Sequence, residues 1–132
     1  MSGESVTRIA LIALGGALGS VLRYLFSGYV QDWSRSASFP FGTLAVNVLG
    51  CFVIGAMSQL AESRGVFTAE ARALVFVGVL GGFTTFSTFS NESVNLLREG
   101  ENLYAFAYVG AHVLLGLGAV WAGRATAYAI WK

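Results

Sequence analysis

Four long stretches of this chain contain almost no charged residue, and this pattern limits the folds that are open to it. A helix that crosses the hydrocarbon core of a bilayer needs about 20 consecutive apolar residues. Charged residues make up only 11% of the chain, against about 25% in an average soluble domain. We therefore expect an all-α integral membrane protein that forms one domain over residues 1–132. Its four predicted spans cover about residues 9–29, 41–60, 73–97 and 103–123.

Charge and residue pattern argue against two broad classes of function. The formal net charge is +1, and the sequence has no basic cluster of the kind that binds nucleic acid. Neither a Ser/His/Asp constellation nor a metal-ligand cluster is visible, so we do not expect an enzyme. Membrane lipid is the expected surrounding of the spans.

The third predicted span contains an unusual polar run, Gly81-Gly82-Phe83-Thr84-Thr85-Phe86-Ser87-Thr88-Phe89-Ser90. A helix that faces lipid favours aliphatic side chains, whereas this run is rich in hydroxyl groups and glycine. Within hydrocarbon, so dense a polar stripe must face a partner helix or a watery path. A conduction route is therefore the first hypothesis for the function of this span.

We also predict a break in the third span, near Gly81-Gly82. An unbroken helix from Ala71 to Leu97 would be about 40 Å long, which exceeds the roughly 30 Å of the hydrocarbon core. A break frees backbone carbonyl groups, and freed carbonyls in broken membrane helices make cation sites. The alternative is a simple kink in which serine and threonine hydroxyls bond back to the helix.

Thr43, Asn47 and Gly50 share one face of the second span, because they follow each other at i, i+4 and i+7. The Asn47 amide offers two hydrogen-bond donors and an acceptor in the middle of the membrane. A structural bond between helices is the alternative interpretation. The hydroxyl-rich third span favours a place for Asn47 on the conduction route.

Phe86 and Phe89 lie three residues apart, so they stack along one face of the helix that follows the predicted break. Ordinary aromatic packing is the alternative explanation. In a conduction route, the positive edge of a phenyl ring contacts a small anion without a strongly binding charge. Weak binding of this kind lets the ion leave again.

His112 is the only histidine and lies in the fourth predicted span. A lone histidine in a membrane suggests proton coupling. A structural hydrogen bond is the favoured interpretation here, since no acidic or basic side chain accompanies it in that span.

Small residues four apart predict close packing of the helices, because they let two backbones approach each other in lipid. The pairs are Gly15/Gly19, Cys51/Gly55, Gly78/Gly82 and Ala119/Gly123. Four helices of this size hardly enclose a pore alone, so we expect an oligomer. The bias of Lys and Arg between the two membrane sides is weak, which permits insertion in both directions.

Three motifs together resemble the Fluc (CrcB-type) fluoride channel family. They are the third-span run with Glu92 two residues beyond it, Gly42-Thr43-Leu44-Ala45-Val46-Asn47, and Gly15-Gly16-Ala17-Leu18-Gly19-Ser20-Val21-Leu22-Arg23-Tyr24. The resemblance extends over the whole chain, including its length and its four spans. It implies an antiparallel, dual-topology homodimer with two fluoride pores and one structural Na⁺ ion at the dimer interface.

The resemblance also implies roles for individual residues. The pore-lining rings would be Phe86 and Phe89, and Asn47 would supply an amide donor. Arg23 would draw anions toward a vestibule or anchor the helix end. The backbone carbonyls of Gly81 and Thr84 would hold the Na⁺ ion. The remaining residues on or near the fluoride route would be Thr43, Ser87, Thr88, Ser90, Glu92 and Tyr108.

One position departs from the family pattern, because this chain has Gly116 where several relatives carry serine on the fourth span. A hydroxyl contact from that position is therefore not expected.

The function implied by the resemblance is passive export of fluoride across the cytoplasmic (inner) membrane, by a multi-pass channel. A small multidrug-type exporter also has four short helices, but it needs an intramembrane carboxylate, and the first span here has none. A second alternative is a membrane assembly protein that transports nothing, in which glycines and hydroxyls serve only helix packing.

Overall fold

The computed structural model describes residues 1–132 and contains helices joined by short connections, with no strand. Four helical stretches are long and apolar enough to cross a membrane, which confirms the predicted all-α membrane class. The third of them, Ala69–Arg98, is composed of several shorter elements. The elements are α1 (Gly3–Ser34), α2 (Phe41–Arg64), α3 (Ala69–Arg72), a π-helical segment (Ala73–Leu80), α4 (Gly81–Phe83), α5 (Phe86–Arg98) and α6 (Asn102–Trp131).

Local sequence signals set most of the helix ends. Ser2 caps the start of α1, since its side chain accepts a hydrogen bond from the Ser5 amide at 3.2 Å. Thr68 caps α3 in the same way, through the Ala71 amide at 3.1 Å. Gly65 ends α2 in the left-handed region, at a φ of 60°, where glycine has no steric penalty.

The helices pack as two close pairs, α2 with α6 and α1 with the π-helical segment and α4. Glycines make both contacts possible, as the small-residue pattern predicted. A Cβ atom on Gly19 would collide with the Val79 carbonyl oxygen, and one on Gly82 with the Gly16 carbonyl oxygen. In the other pair, a Cβ on Gly55 or on Gly123 would strike the backbone of the facing helix.

The predicted break in the third span is present, but it lies at Thr84–Thr85 and not at the glycine pair. Gly81 has helical dihedral angles, φ −62° and ψ −38°, whereas Thr84 is extended with a ψ of 157° and Thr85 with a ψ of 113°. The prediction of position was wrong because Gly82 has another role, which is the close approach to α1.

The π-helical turn over Ala73–Leu80 was not predicted from the sequence. Such turns are rare, usually short, and frequent near functional sites. This one directly precedes α4 and the break, and it is the part of the third span that contacts α1 along Gly15 and Gly19.

The connection between α1 and α2 is held by one side chain, Gln31. Its amide donates to the carbonyls of Ser36 at 2.8 Å and Phe39 at 3.1 Å, and its oxygen accepts from the Gly42 amide at 3.0 Å. These three bonds fix the start of α2 and therefore the position of Thr43, which is the next residue along that helix.

Only 17 of the 132 residues are buried, and many large apolar side chains lie on the surface of the chain. Leu, Val, Phe and Trp side chains are exposed along all four long helical stretches. A surface of this kind needs a covering of lipid or of further helices.

Candidate functional site

The break in the third span is bound by the side chain of Asn47 from α2. The Thr85 amide donates to Asn47 Oδ1 at 2.8 Å, and Asn47 Nδ2 donates to the Thr85 carbonyl at 3.1 Å. This pair of bonds replaces helical backbone bonds that the break removes, which satisfies groups that would be costly to leave unpaired in hydrocarbon. Asn47 therefore stabilises the break directly.

The second hydrogen of the Asn47 amide faces His112 on α6, with 3.0 Å between Nδ2 and Nε2. On its other side, His112 Nδ1 lies 3.1 Å from the Tyr108 carbonyl oxygen, one turn earlier on α6. His112 thus makes the structural hydrogen bonds that the sequence favoured. Both donors of the Asn47 amide are engaged within the subunit.

Glu92 on α5 is the acceptor for two hydroxyl groups from neighbouring helices. Thr43 Oγ1 on α2 donates to Glu92 Oε1 at 2.9 Å, and the Tyr108 hydroxyl on α6 donates to Oε2 at 2.6 Å. Tyr108 is completely buried. A carboxylate held in this way connects three helices beside the break, with a hydroxyl on each of its two oxygens.

Thr43, Asn47, Glu92, Tyr108 and His112 form a hydrogen-bonded polar cluster beside the break. The rings of Tyr108 and His112 continue through those of Phe89 and Phe86 to the surface of the chain. The Phe89 ring centroid lies 4.2 Å from that of His112 and 5.7 Å from that of Tyr108. Phe86 meets Phe89 edge-on, with centroids 5.5 Å apart, and 80% of Phe86 is exposed. The two phenylalanines therefore stack as predicted, the inner ring against the polar cluster and the outer ring on the surface.

Two cavities lie on either side of this cluster. One, of about 280 Å³, is lined by Asn47, Thr84, Thr85, Phe86, Phe89, His112 and Val113. The other, of about 530 Å³, lies toward the α1–α2 connection and is more polar than the first, with Thr43 and Glu92 in its lining. The series of residues Thr43–Glu92–Tyr108–His112–Asn47 runs from the polar cavity to the smaller one, with the Tyr108 hydroxyl bonded to Glu92 and the Tyr108 backbone carbonyl bonded to His112.

The remaining predicted hydroxyls lie near the start of α5. Thr85 caps this helix by accepting from the Thr88 amide at 3.2 Å, and its own hydroxyl donates to Thr88 Oγ1 at 3.0 Å. Ser87 is exposed and lies 3.4 Å from the Thr85 hydroxyl. Ser90 is half-buried and makes no side-chain hydrogen bond within the subunit.

Arg23 lies apart from this cluster, within α1. Its side chain is half-buried and forms no salt bridge within the subunit. The structure therefore brings together Thr43, Asn47, Phe86, Phe89, Glu92 and Tyr108, and it leaves Arg23 outside the group.

The break removes the helical donors of four carbonyl groups, those of Gly81, Gly82, Phe83 and Thr84, and two of these donors have new partners. In a regular helix the Thr85 amide would donate to Gly81 and the Thr88 amide to Thr84. Here the Thr85 amide donates to Asn47 Oδ1 and the Thr88 amide to Thr85 Oγ1. The carbonyls concerned are those of Gly81 and Thr84, which the family resemblance implies as cation ligands.

Sequence reasoning missed the part that Thr85 and Gln31 play. Thr85 lies within the hydroxyl-rich run, and an N-capping residue after a helix break is a signal that could have distinguished it from its neighbours. Gln31 lies near the end of α1, before the loop to α2. Nothing in its local sequence predicts that its side chain makes three hydrogen bonds to the backbone.

Taken together, the fold and this cluster define a small multi-pass membrane protein with a polar track and aromatic rings beside a broken helix. The family model for CrcB-like protein, Camphor Resistance (CrcB), matches residues 10–124. The chain therefore belongs to the CrcB family.

Relatives from bacteria and archaea match this chain over most of its length. It is 44% identical over 116 residues to the fluoride-specific ion channel FluC of Methylobacillus flagellatus, covering 88% of this chain and 91% of the relative. Identity to the protein of the same name from Rhizobium etli is 47% over 123 residues, or 91% of this chain and 95% of the relative. The fluoride-specific ion channel FluC 1 of Methanosarcina acetivorans is 44% identical over 119 residues, 90% of this chain and 89% of the relative.

Proposed function

We propose that this protein is a fluoride-selective ion channel that lets fluoride leave the cytoplasm passively across the cytoplasmic membrane. The observation that carries the proposal is the polar track beside the break, which contains hydroxyls, an amide, an imidazole, ring edges and one carboxylate whose oxygens are both held by hydroxyl donors, and which has no Lys or Arg side chain in it. A small, strongly hydrated anion needs closely spaced donors in place of water, and a fixed cation in the narrow part would hold the ion. The names of the relatives support the same ion.

Fluoride would pass along the outer and inner rings, Phe86 and Phe89, whose positive edges contact an anion weakly. Hydroxyls of Ser87, Thr88 and Ser90 lie on the same helix and would take part beside the rings. Both donors of the Asn47 amide are engaged within the subunit. The main role of Asn47 would therefore be to stabilise the extended backbone at the break. Thr43, Glu92 and Tyr108 would form the polar end of the route, toward which Arg23 would draw anions.

The multidrug-type exporter is less well supported by these contacts. Its chemistry needs a carboxylate that exchanges protons and cations. The carboxylate beside the break, that of Glu92, is held by two hydroxyl donors, from Thr43 and Tyr108. An assembly protein without transport would not need a cavity on each side of a polar cluster.

The functional unit we propose is a homodimer of two antiparallel copies. One copy leaves Phe86 exposed at the edge of the smaller cavity, and a second copy would cover this ring and close the route on that side. The exposed apolar surface of the helices is compatible with such a partner.

A structural Na⁺ ion at the centre of the dimer is also part of the proposal. The residues present fit the ion, because the Gly81 and Thr84 carbonyls have lost their helical donors and unwound carbonyls bind Na⁺ in other membrane proteins. Gly81 is exposed on the subunit surface, where a second copy could add its own pair of carbonyls. The ion would link the two subunits and would not move with fluoride.

Fluoride efflux from liposomes that contain only this protein tests the function. We expect rapid loss of fluoride and almost no loss of chloride from matched liposomes. Equal chloride flux, or no fluoride flux from a well-folded protein, would contradict the channel assignment.

Removal of sodium tests the ion site separately. In buffers where a large organic cation replaces Na⁺, we expect a lower thermal stability of the dimer and a lower fluoride flux. Restoring equal Na⁺ on both sides of the membrane should recover the flux, because no sodium gradient is needed. Unchanged stability and flux after rigorous removal would rule out the site.

A further inference from the structure

His112 is the only histidine of the chain, and its two ring nitrogens have partners of opposite chemistry. Nδ1 faces the Tyr108 carbonyl oxygen, which only accepts, at 3.1 Å. Nε2 faces Asn47 Nδ2, which only donates, at 3.0 Å. These contacts specify one neutral form of the ring, with its hydrogen on Nδ1 and a free electron pair on Nε2.

The orientation of the Asn47 amide is fixed independently of the histidine. Thr85 contributes one donor and one acceptor at the break, so Asn47 Oδ1 must face the Thr85 amide and Nδ2 the Thr85 carbonyl. The remaining hydrogen on Nδ2 then points at His112 Nε2. An unbroken series of bonds therefore joins the backbone of α6 to the break in the third span.

We propose that His112 is a positioning residue for the ion route, acting as the obligatory acceptor that holds the Asn47 amide on the break. The proposal rests on the fluoride-channel function proposed above. The imidazole is also the surface against which Phe89 packs, with centroids 4.2 Å apart. The His112 ring thus determines two positions, that of the Asn47 amide, which stabilises the break, and that of Phe89, which is the inner ring of the route.

Protonation of His112 would remove this acceptor. A hydrogen on Nε2 would face the hydrogen on Asn47 Nδ2, so the amide would have to leave the break or the ring would have to turn. The titratable groups that face the ring are Glu92 from α5 and Tyr108 from α6 itself, and these two are bonded to each other. Around the ring, α2 and the break contribute only neutral groups, those of Asn47, Thr84 and Thr85. The arrangement predicts that acid which protonates the ring stops fluoride flux.

Two substitutions separate positioning from simple support of the fold. His112→Gln can place its side-chain oxygen near the position of Nε2, which keeps an acceptor for Asn47. His112→Asn can reach only the position of Nδ1, which keeps the bond to the Tyr108 carbonyl and leaves Asn47 without an acceptor. We expect fluoride flux within about threefold of wild type for the glutamine variant and at least about tenfold lower for the asparagine variant. Equal losses, or the opposite order, would overturn the proposal.

A measurement on the wild-type protein does not depend on how well the variants fold. Because there is one histidine, the imidazole ¹⁵N spectrum of labelled protein in liposomes reports its tautomer without assignment. We expect hydrogen on Nδ1 and none on Nε2 at about pH 8, above the ordinary histidine pKa of about 6.5. A ring with its hydrogen on Nε2 would overturn the proposal.

Acidification then links the ring to transport. The pH is lowered until the spectrum shows the doubly protonated ring, and fluoride flux is measured at the same pH, with protein-free liposomes as the control for leakage. Wild-type flux should fall as the ring protonates, while His112→Gln should keep its flux over the same range. Full flux through channels with a protonated ring would overturn the proposal, whereas absent flux at neutral pH would instead contradict the channel function.

Discussion

At the scale of single residues, the polar groups around the break depend on one another. No buried side-chain nitrogen or oxygen in the subunit lacks a hydrogen-bond partner. In the middle of a membrane, removal of one partner leaves the other without water to replace it. Substitutions in the series from Thr43 to Asn47 should therefore affect groups beyond the altered side chain.

Replacement of Phe86 or Phe89 by isoleucine tests the role of the rings. Isoleucine keeps much of the volume and loses the positive ring edge, so we expect fluoride flux at least about tenfold lower, equivalent to about 1.4 kcal/mol. Flux from liposomes is the measurement, and the amount of correctly assembled protein is checked by gel filtration.

Phe106→Ile is the matched control for the rings, because Phe106 on α6 is also a largely exposed phenylalanine, at 74%. It lies outside both cavities beside the break. Its substitution should leave flux unchanged. Wild-type flux in both the Phe86 and Phe89 variants would assign those rings to ordinary packing.

The hydroxyl of Tyr108 can be removed without changing the ring. Tyr108→Phe should lower the free energy of unfolding by about 1–2 kcal/mol, because Glu92 loses the donor on its Oε2 atom. Unfolding in mixed detergent micelles measures the change. Tyr104→Phe is the control, since Tyr104 also packs edge-on against Phe39 but is 43% exposed. Equal effects of the two substitutions would show that the bond to Glu92 adds nothing.

At the scale of helices, glycines decide how closely the elements approach. Gly19 lies in the contact between α1 and the third span, where a Cβ would meet the Val79 carbonyl and, at 2.9 Å, the Phe83 amide nitrogen. Backbone atoms cannot move aside as a flexible side chain can. We expect Gly19→Ala to reduce the free energy of unfolding by about 1–3 kcal/mol.

Gly28→Ala on the same helix provides the comparison for Gly19. A Cβ on Gly28 meets nothing within 4 Å inside the subunit. Alanine favours the helix over glycine by up to about 1 kcal/mol, so this variant should be equally stable or more stable than wild type. If Gly19→Ala were as stable as Gly28→Ala, the close contact between α1 and the third span would not require a glycine at position 19.

Features that depend on neighbouring residues can be predicted from the sequence, whereas features that depend on residues far apart in the chain cannot. Apolar length predicted four spans, because the thickness of a membrane imposes it on each helix separately. The position of the break was missed, since it depends on Asn47, which lies 38 positions away from Thr85 in the chain. The partners of His112 were missed for the same reason, because α2 and α6 meet only in the folded subunit.

At the scale of the whole molecule, the two ends of the helix bundle carry few charges. One end has Arg8 on α1, Arg64 at the end of α2, Arg72 at the end of α3, Arg124 on α6 and Lys132 after α6. The opposite end carries Arg35 and Arg98. This excess of Lys and Arg at one end is modest, so it gives the membrane-insertion machinery only a weak basis for choosing one orientation.

If two antiparallel copies form the channel, a variant that inserts in only one orientation should have no fluoride flux. Coexpression with a variant of the opposite orientation should restore the flux. Glu101→Lys with Asn102→Lys adds cations at one end of the bundle, and Ser63→Lys with Val66→Lys adds them at the other. Because added cations retain a loop on the cytoplasmic side, each variant expressed alone should insert in one direction and give at least about tenfold less fluoride flux. Expressed together, the two variants can form antiparallel pairs, and flux should return to near the wild-type level. Full flux from either variant alone, with its single orientation verified by labelling from outside the cell, would show that an antiparallel pair is not required.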